Sequence, residues 1–335
     1  GGVMAIPGST PCPAVPLPAA GGLSFRPLAA TDLDAWLALT LRIAAAEDAP
    51  WHDTRSELAT CFEDTDNPAE GNTAGGFDAP GVLRAFGRVT KHPGGAAGYA
   101  FGGVDPRWQR RGIGAAVLAW QEDLLRARFA AEGQPPGTVR VYTPEANPAH
   151  TSLLSGAGYS TVRYFSEMLR TLAGAPAVPV PAGIRIVAFA PGLSEAVRLA
   201  HNEAFADHWG SEPRSIQRWG FLLANEDFRP DWSAVALDAA SGEVAGYQLS
   251  MYDPERFPKE GREEGYTEVL GVRRPWRHRG IAQALLSDAM ARYKAAGMDH
   301  ACLDVDTENP TGALGLYEKM GYRPLRRTLA WDKAL

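Results

Sequence analysis

Cysteine is scarce in this chain of 335 residues: Cys12, Cys61 and Cys302 are odd in number, far apart and without a CxxC pair. That pattern argues against both a disulfide framework and a zinc site, and it suits a reducing, cytoplasmic compartment. No stretch approaches the ~20 uninterrupted apolar residues that a membrane-spanning helix requires. The first residues, through Pro11-Cys12-Pro13-Ala14-Val15-Pro16-Leu17-Pro18, lack the basic start and long apolar core of a secretory signal. They read as a loose tail over residues 1–22. A net charge of −6 offers no general reason to bind nucleic acid, although a local basic patch can still hold a phosphate-bearing small molecule. What remains is a globular chain long enough for two domains.

The chain repeats itself. Val104-Asp105-Pro106-Arg107-Trp108-Gln109-Arg110-Arg111-Gly112-Ile113-Gly114 matches Val272-Arg273-Arg274-Pro275-Trp276-Arg277-His278-Arg279-Gly280-Ile281-Ala282, and Gly112 and Gly280 lie 168 positions apart. A helical pattern follows each match (115–128 and 283–296), then a β-type run (139–142 and 301–305). Each copy next reaches an Asn-Pro step and a helix ending in Gly-Tyr, at Gly158-Tyr159 and Gly321-Tyr322. Opening strands are expected at Leu23-Ser24-Phe25-Arg26-Pro27 and Ile184-Arg185-Ile186-Val187. The Pro-, Gly- and Ala-rich segment 173–182 reads as a linker, so the expected domains are 23–172 and 183–335.

The Arg/Gly turn has the chemistry of an anion site. N–H groups at a helix start lack intrahelical partners and sit at the positive end of the helix dipole. Small residues at Gly280 and Ala282 admit a phosphate close to the backbone, while Arg277 and Arg279 supply charge. The same holds for Gln109, Arg111, Gly112 and Gly114. Neither GxGxxG nor GxxxxGK[ST] occurs at these turns, so the dinucleotide and nucleoside-triphosphate loops drop out.

Both turns, Gln109-Arg110-Arg111-Gly112-Ile113-Gly114 and Arg277-His278-Arg279-Gly280-Ile281-Ala282, resemble the [Q/R]-x-x-G-x-[G/A] pyrophosphate loop of the GNAT superfamily of acetyl-CoA-dependent N-acyltransferases. The tandem arrangement and the segment 202–210 are similar to the two-domain mycothiol synthase group. The resemblance implies an α/β fold in two tandem domains, each a splayed mixed sheet flanked by helices. It also implies acetyl-CoA as acyl donor, with CoA as product, and a pantetheine arm paired with the strand before the loop, at Val104 in one copy and at Leu270 and Val272 in the other. Asn309 would meet the cofactor, and Tyr317, on the following helix, would protonate the departing thiolate. A phenol with an ordinary pKa near ~10 stays protonated until a thiolate near ~8.5 demands the proton.

For the base, two-residue alternation along Tyr266-Thr267-Glu268-Val269-Leu270-Gly271-Val272 puts Tyr266, Glu268, Leu270 and Val272 on one face and aims Glu268 at the acyl end, with Glu263 and Glu264 as alternatives. In the first copy the strand Gly98–Val104 carries no carboxylate, and Leu154 stands where Tyr317 would. That copy is expected to bind acetyl-CoA weakly or to act as a packing partner without turnover. Asp207, His208 and Trp209 mark the acceptor side, where a small polar amine would be held by hydrogen bonds and ring contact. The reading is therefore N-acetylation of a small polar amine by a monomer or homodimer with no nucleic-acid or membrane partner. A mycothiol-synthase-like acetylation of a cysteinyl pseudodisaccharide and a non-catalytic acyl-CoA sensor are the alternatives.

Overall fold

A computed structural model describes residues 15–47, 49 and 51–335. The expected tail over residues 1–22 therefore falls partly outside the described residues: residues 1–14, including Cys12, are not among them. Residues 15–22 correct the expectation of a loose tail. Val15 packs against the first domain's core, Pro18 is buried, and the Leu23 N–H donates to Ala20 O at 3.1 Å.

The described residues form two compact units, one running up to residue 163 and joined by 328–335, the other residues 164–327. In the first unit the elements are β1 (Ser24–Arg26), α1 (Leu33–Ala46), α2 (Arg55–Thr60), α3 (Ala69–Asn72), β2 (Thr73–Phe77), β3 (Leu83–Lys91), β4 (Ala97–Val104), α4 (Ile113–Ala131), β5 (Thr138–Pro144), α5 (Pro148–Gly156) and the start of β6 (Ser160–Thr171). The second unit takes the rest of β6, then β7 (Ile184–Ala188), α6 (Ser194–Ala204), α7 (Ile216–Ala224), β8 (Phe228–Asp238), β9 (Val244–Met251), α8 (Arg256–Glu260), β10 (Glu264–Val272), α9 (Ile281–Ala295), β11 (His300–Asp306), α10 (Ala313–Lys319) and the start of β12 (Arg323–Ala334).

Within each unit the sheet is mixed. In the first, β1 to β4 run as antiparallel neighbours, β4 meets β5 in parallel, and residues 328–334 of β12 close the far side against β5. In the second, β7 to β10 are antiparallel neighbours, β10 meets β11 in parallel, and residues 165–171 of β6 lie antiparallel to β11. Each unit is thus completed by a strand from the other end of its sequence. This is why the contact boundary falls at 163/164 and 327/328, and why the segment 173–182 counts with the second unit. There the Val178 N–H donates to Ser287 Oγ on α9 at 3.0 Å, and Ser287 Oγ donates to Pro176 O at 2.8 Å.

The parallel pairs are short. β4 pairs with β5 only from Ala97 to Tyr99, and β10 pairs with β11 only from Glu264 to Thr267. Beyond those residues each strand keeps its antiparallel partner but leaves the parallel one, so both sheets splay. Gly98 and Gly265 occupy matching places before the splay. An added Cβ would lie 2.2 Å from Leu125 on α4 in one unit and 2.3 Å from Tyr293 on α9 in the other. Only glycine lets the helix approach the strand this closely.

Tyr293 is fully buried, and its hydroxyl lies 2.5 Å from Ser250 Oγ and 2.9 Å from Thr267 Oγ1. Replacing Gly265 with alanine forces this ring away from its partners, and overpacking of this kind costs about 1–3 kcal/mol. Thermal unfolding of Gly265→Ala is therefore expected to show a midpoint several degrees lower; an unchanged midpoint would mean that the strand–helix gap is not tight.

Candidate active site

The two Arg/Gly turns share one backbone. Arg110 and His278 are the non-glycine residues with left-handed φ among those described, each at 63°, and Gly112 and Gly280 follow at 75° and 80°. Left-handed backbone at a non-glycine residue costs on the order of 1 kcal/mol and persists where surroundings impose it. Here it turns successive N–H groups into one concavity, an arrangement suited to anions. The glycines are the N-caps of α4 and α9, and no side chain caps either helix. The opening N–H groups, from Ile113 and Gly114 in one unit and Ile281 and Ala282 in the other, are thus left for a ligand. These turns fit a pyrophosphate.

Not every guanidinium in the second turn is free for it. Arg277, expected at the phosphate, donates instead to Val272 O at 3.1 Å and to Ala204 O at 2.9 Å. Burial, and then the neighbouring charge of Arg274, pull its pKa below the ordinary value. Arg273 pairs with Glu203 at 2.7 Å and Arg274 pairs with Asp207. Three arginines of the turn therefore clamp the C-terminal end of α6, leaving His278 and Arg279 exposed beside Gly280. Gln109, Arg110 and Arg111 are exposed in the first turn, where the Arg111 guanidinium lies 4.1 Å over the Trp108 ring.

The strand leading into the second turn departs from simple alternation. Tyr266 faces Met251 and Thr267 faces Ser250, but Val269 faces Leu249, so Glu268 is an extra residue in a β-bulge. The bulge exchanges the faces of the strand. Before it, Gly265 and Thr267 meet Tyr293 on α9; after it, Leu270 and Val272 take that side, packing near Leu285 and Ile281. Val269 packs instead with Val197 and Ala200 of α6, and Tyr266 joins the same cluster. The expectation that Tyr266, Glu268, Leu270 and Val272 share one face is thereby corrected: Leu270 and Val272 face α9, away from Tyr266.

The same strand supplies the free edge. The Arg273 N–H donates to Ala245 O on the β9 side, so alternation points the backbone groups of Leu270 and Val272 toward the open splay. Those N–H groups are placed to pair with an extended ligand arm or to polarise a carbonyl. In the first unit β3 and β4 pair without any shift from Ala85–Val104 to Lys91–Gly98. Ala100, near the place of the bulge, is buried in the core.

Glu268 is open to solvent at the point where β10 parts from β11. Burial nevertheless raises its carboxyl above the usual range, opposed by the charge of Arg214. A carboxylate that is reachable by water but enclosed on its other sides has these properties. Tyr317 lies on α10 with its ring buried in the core of the second unit, and burial pushes its phenol up to about 12. Among the described residues no group hydrogen-bonds its hydroxyl. Its counterpart Leu154 is fully buried. Asn309 Oδ1 accepts from Thr311 N at 2.8 Å and from Thr311 Oγ1 at 2.6 Å, which shapes the turn before α10.

Among the residues expected to meet the acceptor, Trp209 packs against Phe165 with centroids 6.1 Å apart, and His208 packs on Phe205 at 4.4 Å. His208 Nδ1 is buried without a partner; burial, then Arg277, lower its pKa. Asp207 is exposed but held by Arg274. His201 is a core histidine, its Nδ1 2.5 Å from the Tyr247 hydroxyl and its pKa pulled down to about 3 by burial.

One group was missed by the sequence reading. Asp304 on β11 is exposed, accepts a hydrogen bond from the Tyr266 hydroxyl, and has its carboxyl pushed up to about 7, first of all by burial. The available signal was a lone acid in the apolar run Ala301-Cys302-Leu303-Asp304-Val305.

Known proteins can be set beside this geometry. The profile of the Acetyltransferase (GNAT) family matches residues 194–322, wholly within the second copy. A mycothiol acetyltransferase from Geodermatophilus obscurus is 28% identical over 285 residues, covering 79% of this chain and 84% of its own. One from Thermobispora bispora is 30% identical over 233 residues, covering 65% and 70%. A GCN5-related N-acetyltransferase from Sphaerobacter thermophilus superposes with a TM-score of 0.71 at 26% identity, over 95% of this chain and 97% of that one. No helix among the described residues is long and apolar enough to cross a membrane. Profile, relatives and superposition agree with one another and with this geometry: the chain belongs to the GNAT family of acetyltransferases.

Proposed function

We propose that the second domain transfers the acetyl group of acetyl-CoA directly to the primary amine of a small polar molecule, and that the first domain does not turn over. The observation that carries this reading is the bulge at Glu268. It sits where β10 leaves β11, one strand length from the uncapped start of α9, and the regular strand of the first unit has nothing like it.

His278, Arg279, Gly280, Ile281 and Ala282 would hold the diphosphate, and Leu270 and Val272 the pantetheine arm. When bound, acetyl-CoA supplies the activated acyl carbon. The chain then has three tasks. A carboxylate on the acceptor side receives the ammonium proton, the N–H groups of the free β10 edge stabilise charge on the carbonyl oxygen, and Tyr317 gives its proton to sulfur. A phenol near 12 is fully protonated at neutral pH and poised to donate only at the moment of cleavage. In the first unit, Val104, Gln109, Arg110, Arg111, Gly112, Ile113 and Gly114 keep the diphosphate turn, so that unit retains a binding role.

The acceptor wall of Asp207, His208 and Trp209 is polar and aromatic and is clamped to the turn through Arg274 and Arg277. It suits an amino-sugar or amino-acid amine. The relatives' name brings forward a cysteinyl pseudodisaccharide of the mycothiol type as the specific acceptor.

Tyr317→Phe is expected to lower kcat by about 10²-fold or more with the KM for acetyl-CoA within about twofold of the parent. The volume-conserving Leu154→Met should leave both unchanged. CoA release followed by chromatography measures this without interference from a thiol on the acceptor; equal losses from the two substitutions would overturn the assignment of chemistry to the second domain.

Charge reversal at the turn gives a second check. Arg279→Glu is expected to raise the KM for acetyl-CoA about tenfold, whereas Arg111→Glu should leave kinetics unaltered and change only the number of coenzyme molecules carried per chain in native mass spectrometry. A kinetic effect of Arg111→Glu matching that of Arg279→Glu would show that the first site turns over.

A further inference from the structure

The two copies can be compared position by position around the splay. Gly98 pairs with Val139 and Gly265 with Ala301, so Tyr99 corresponds to Tyr266 and Tyr142 to Asp304. In the first unit Tyr99 and Tyr142 stack, with centroids 6.5 Å apart and planes within 5°. In the second unit the same two positions hold the Tyr266 hydroxyl donating to Asp304 Oδ2. That bond bridges β10 and β11 just where they separate. The extra residue Glu268 stands two positions beyond Tyr266 on the bulged strand, so the second copy differs from the first by two carboxylates at one splay point.

Deepening the reading above, and resting on it, we propose that Asp304 is the residue that receives the proton of the acceptor's ammonium, with Tyr266 holding it in place and Glu268 drawing the cation to the splay. Geometry separates Asp304 from the acids around it. Glu167, opposite Asp304 on β6, is buried and engaged by Arg326 at 2.8 Å, with Arg256 at 3.6 Å and Arg262 at 3.7 Å. It is closed to a ligand. Asp304 is open to solvent, and its orientation is fixed by a phenol rather than neutralised by an arginine. Glu268 is also open, but no hydrogen bond from a described residue fixes its carboxylate.

The charge environment agrees. The groups facing Asp304 are Tyr266 and Glu268 from β10, Glu167 from β6 and Arg256 from α8. Burial raises its carboxyl to about 7; the Tyr266 bond opposes this, Glu167 and Glu268 reinforce it, and Arg256 opposes it again. A base of that strength accepts a proton at neutral pH and returns it to water.

The proton balance closes. One ammonium proton passes to Asp304 and on to solvent, and the freed nitrogen lone pair forms the C–N bond while the C–S bond breaks. Tyr317 protonates the sulfur and regains a proton from the nitrogen as the amide forms.

The test measures kcat/KM against pH for the full chain with acetyl-CoA and two acceptors of different basicity, glucosamine and S-methylcysteinyl-glucosamine. For the parent, the rate is expected to rise through the same ionisation near neutrality with both acceptors. Asp304→Asn should lose that ionisation and about 10²-fold in rate at neutral pH, recovering as the amine deprotonates unaided, with acetyl-CoA affinity kept. Tyr266→Phe should move the ionisation to higher pH, because the bond it removes favours the carboxylate.

Thermal unfolding gives a readout independent of transfer. A carboxyl raised to about 7 in the folded chain, against about 4 unfolded, makes the fold lose stability as pH rises between those values. Asp304→Asn should therefore melt above the parent at about pH 8 by a margin that vanishes near pH 4. An Asp304→Asn enzyme that retains the ionisation, or a Tyr266→Phe enzyme whose ionisation stays in place, overturns the proposal. A parent that releases no CoA refutes the acetyl-transfer reading instead, while the melting difference still reports on the Asp304 carboxyl.

Discussion

Everything at this site depends on the early end of a parallel strand pair. Two adjacent strands normally satisfy each other's backbone groups along their whole length. Here β10 stays with β11 for four residue pairs and then departs, leaving a row of donors and acceptors on a free edge. Unpaired edges are a liability in most sheets. In this one the edge opens onto a helix start with unspent N–H groups, so two kinds of unsatisfied backbone converge. A long thin ligand with amides in its arm and a diphosphate at its end answers both demands.

The bulge decides which residues of β10 face each side of the sheet. A single extra residue reverses the faces of β10, sending Leu270 and Val272 toward α9 and leaving Glu268 exposed at the bulge. The first domain preserves the splay, the glycine under the helix and the left-handed turn, yet its strand runs without interruption and presents Ala100 and stacked tyrosines instead of acids. The splay with its left-handed turn and the carboxylates beside it are thus separable features of one fold. The duplicated chain retains the first in both halves and combines it with the second in one.

Arginines in the second turn show how a site is held rigid by its own charged residues. Arg273, Arg274 and Arg277 are turned away from the phosphate position toward the end of α6, where they meet Glu203, Asp207 and Ala204 O. Such contacts tie the end of α6 and Asp207 to the Arg/Gly turn through a few hydrogen bonds to charged groups, each stronger than its neutral equivalent. Motif spacing made Arg277 look like a ligand contact; the tertiary structure makes it a strut beside Arg273 and Arg274.

The sequence by itself determined the duplication, the order of elements, the two glycine-centred turns and the tyrosine that one copy has and the other lacks. Those features are local: turn glycines, helix periodicity and strand composition act over a few residues, so they can be read in one dimension. Tertiary structure alone decided the closing strand of each unit, the bulge at Glu268, the fate of Arg277 and the pairing of Tyr266 with Asp304. Each of these depends on which distant segment lies across from a given residue. Gly98 and Gly265 are 167 positions apart whereas Gly112 and Gly280 are 168 apart, so the inserted residue did leave a trace in the chain. Its meaning came only from the register against β9, because an extra residue changes the direction of its neighbours only when a partner strand holds them in place.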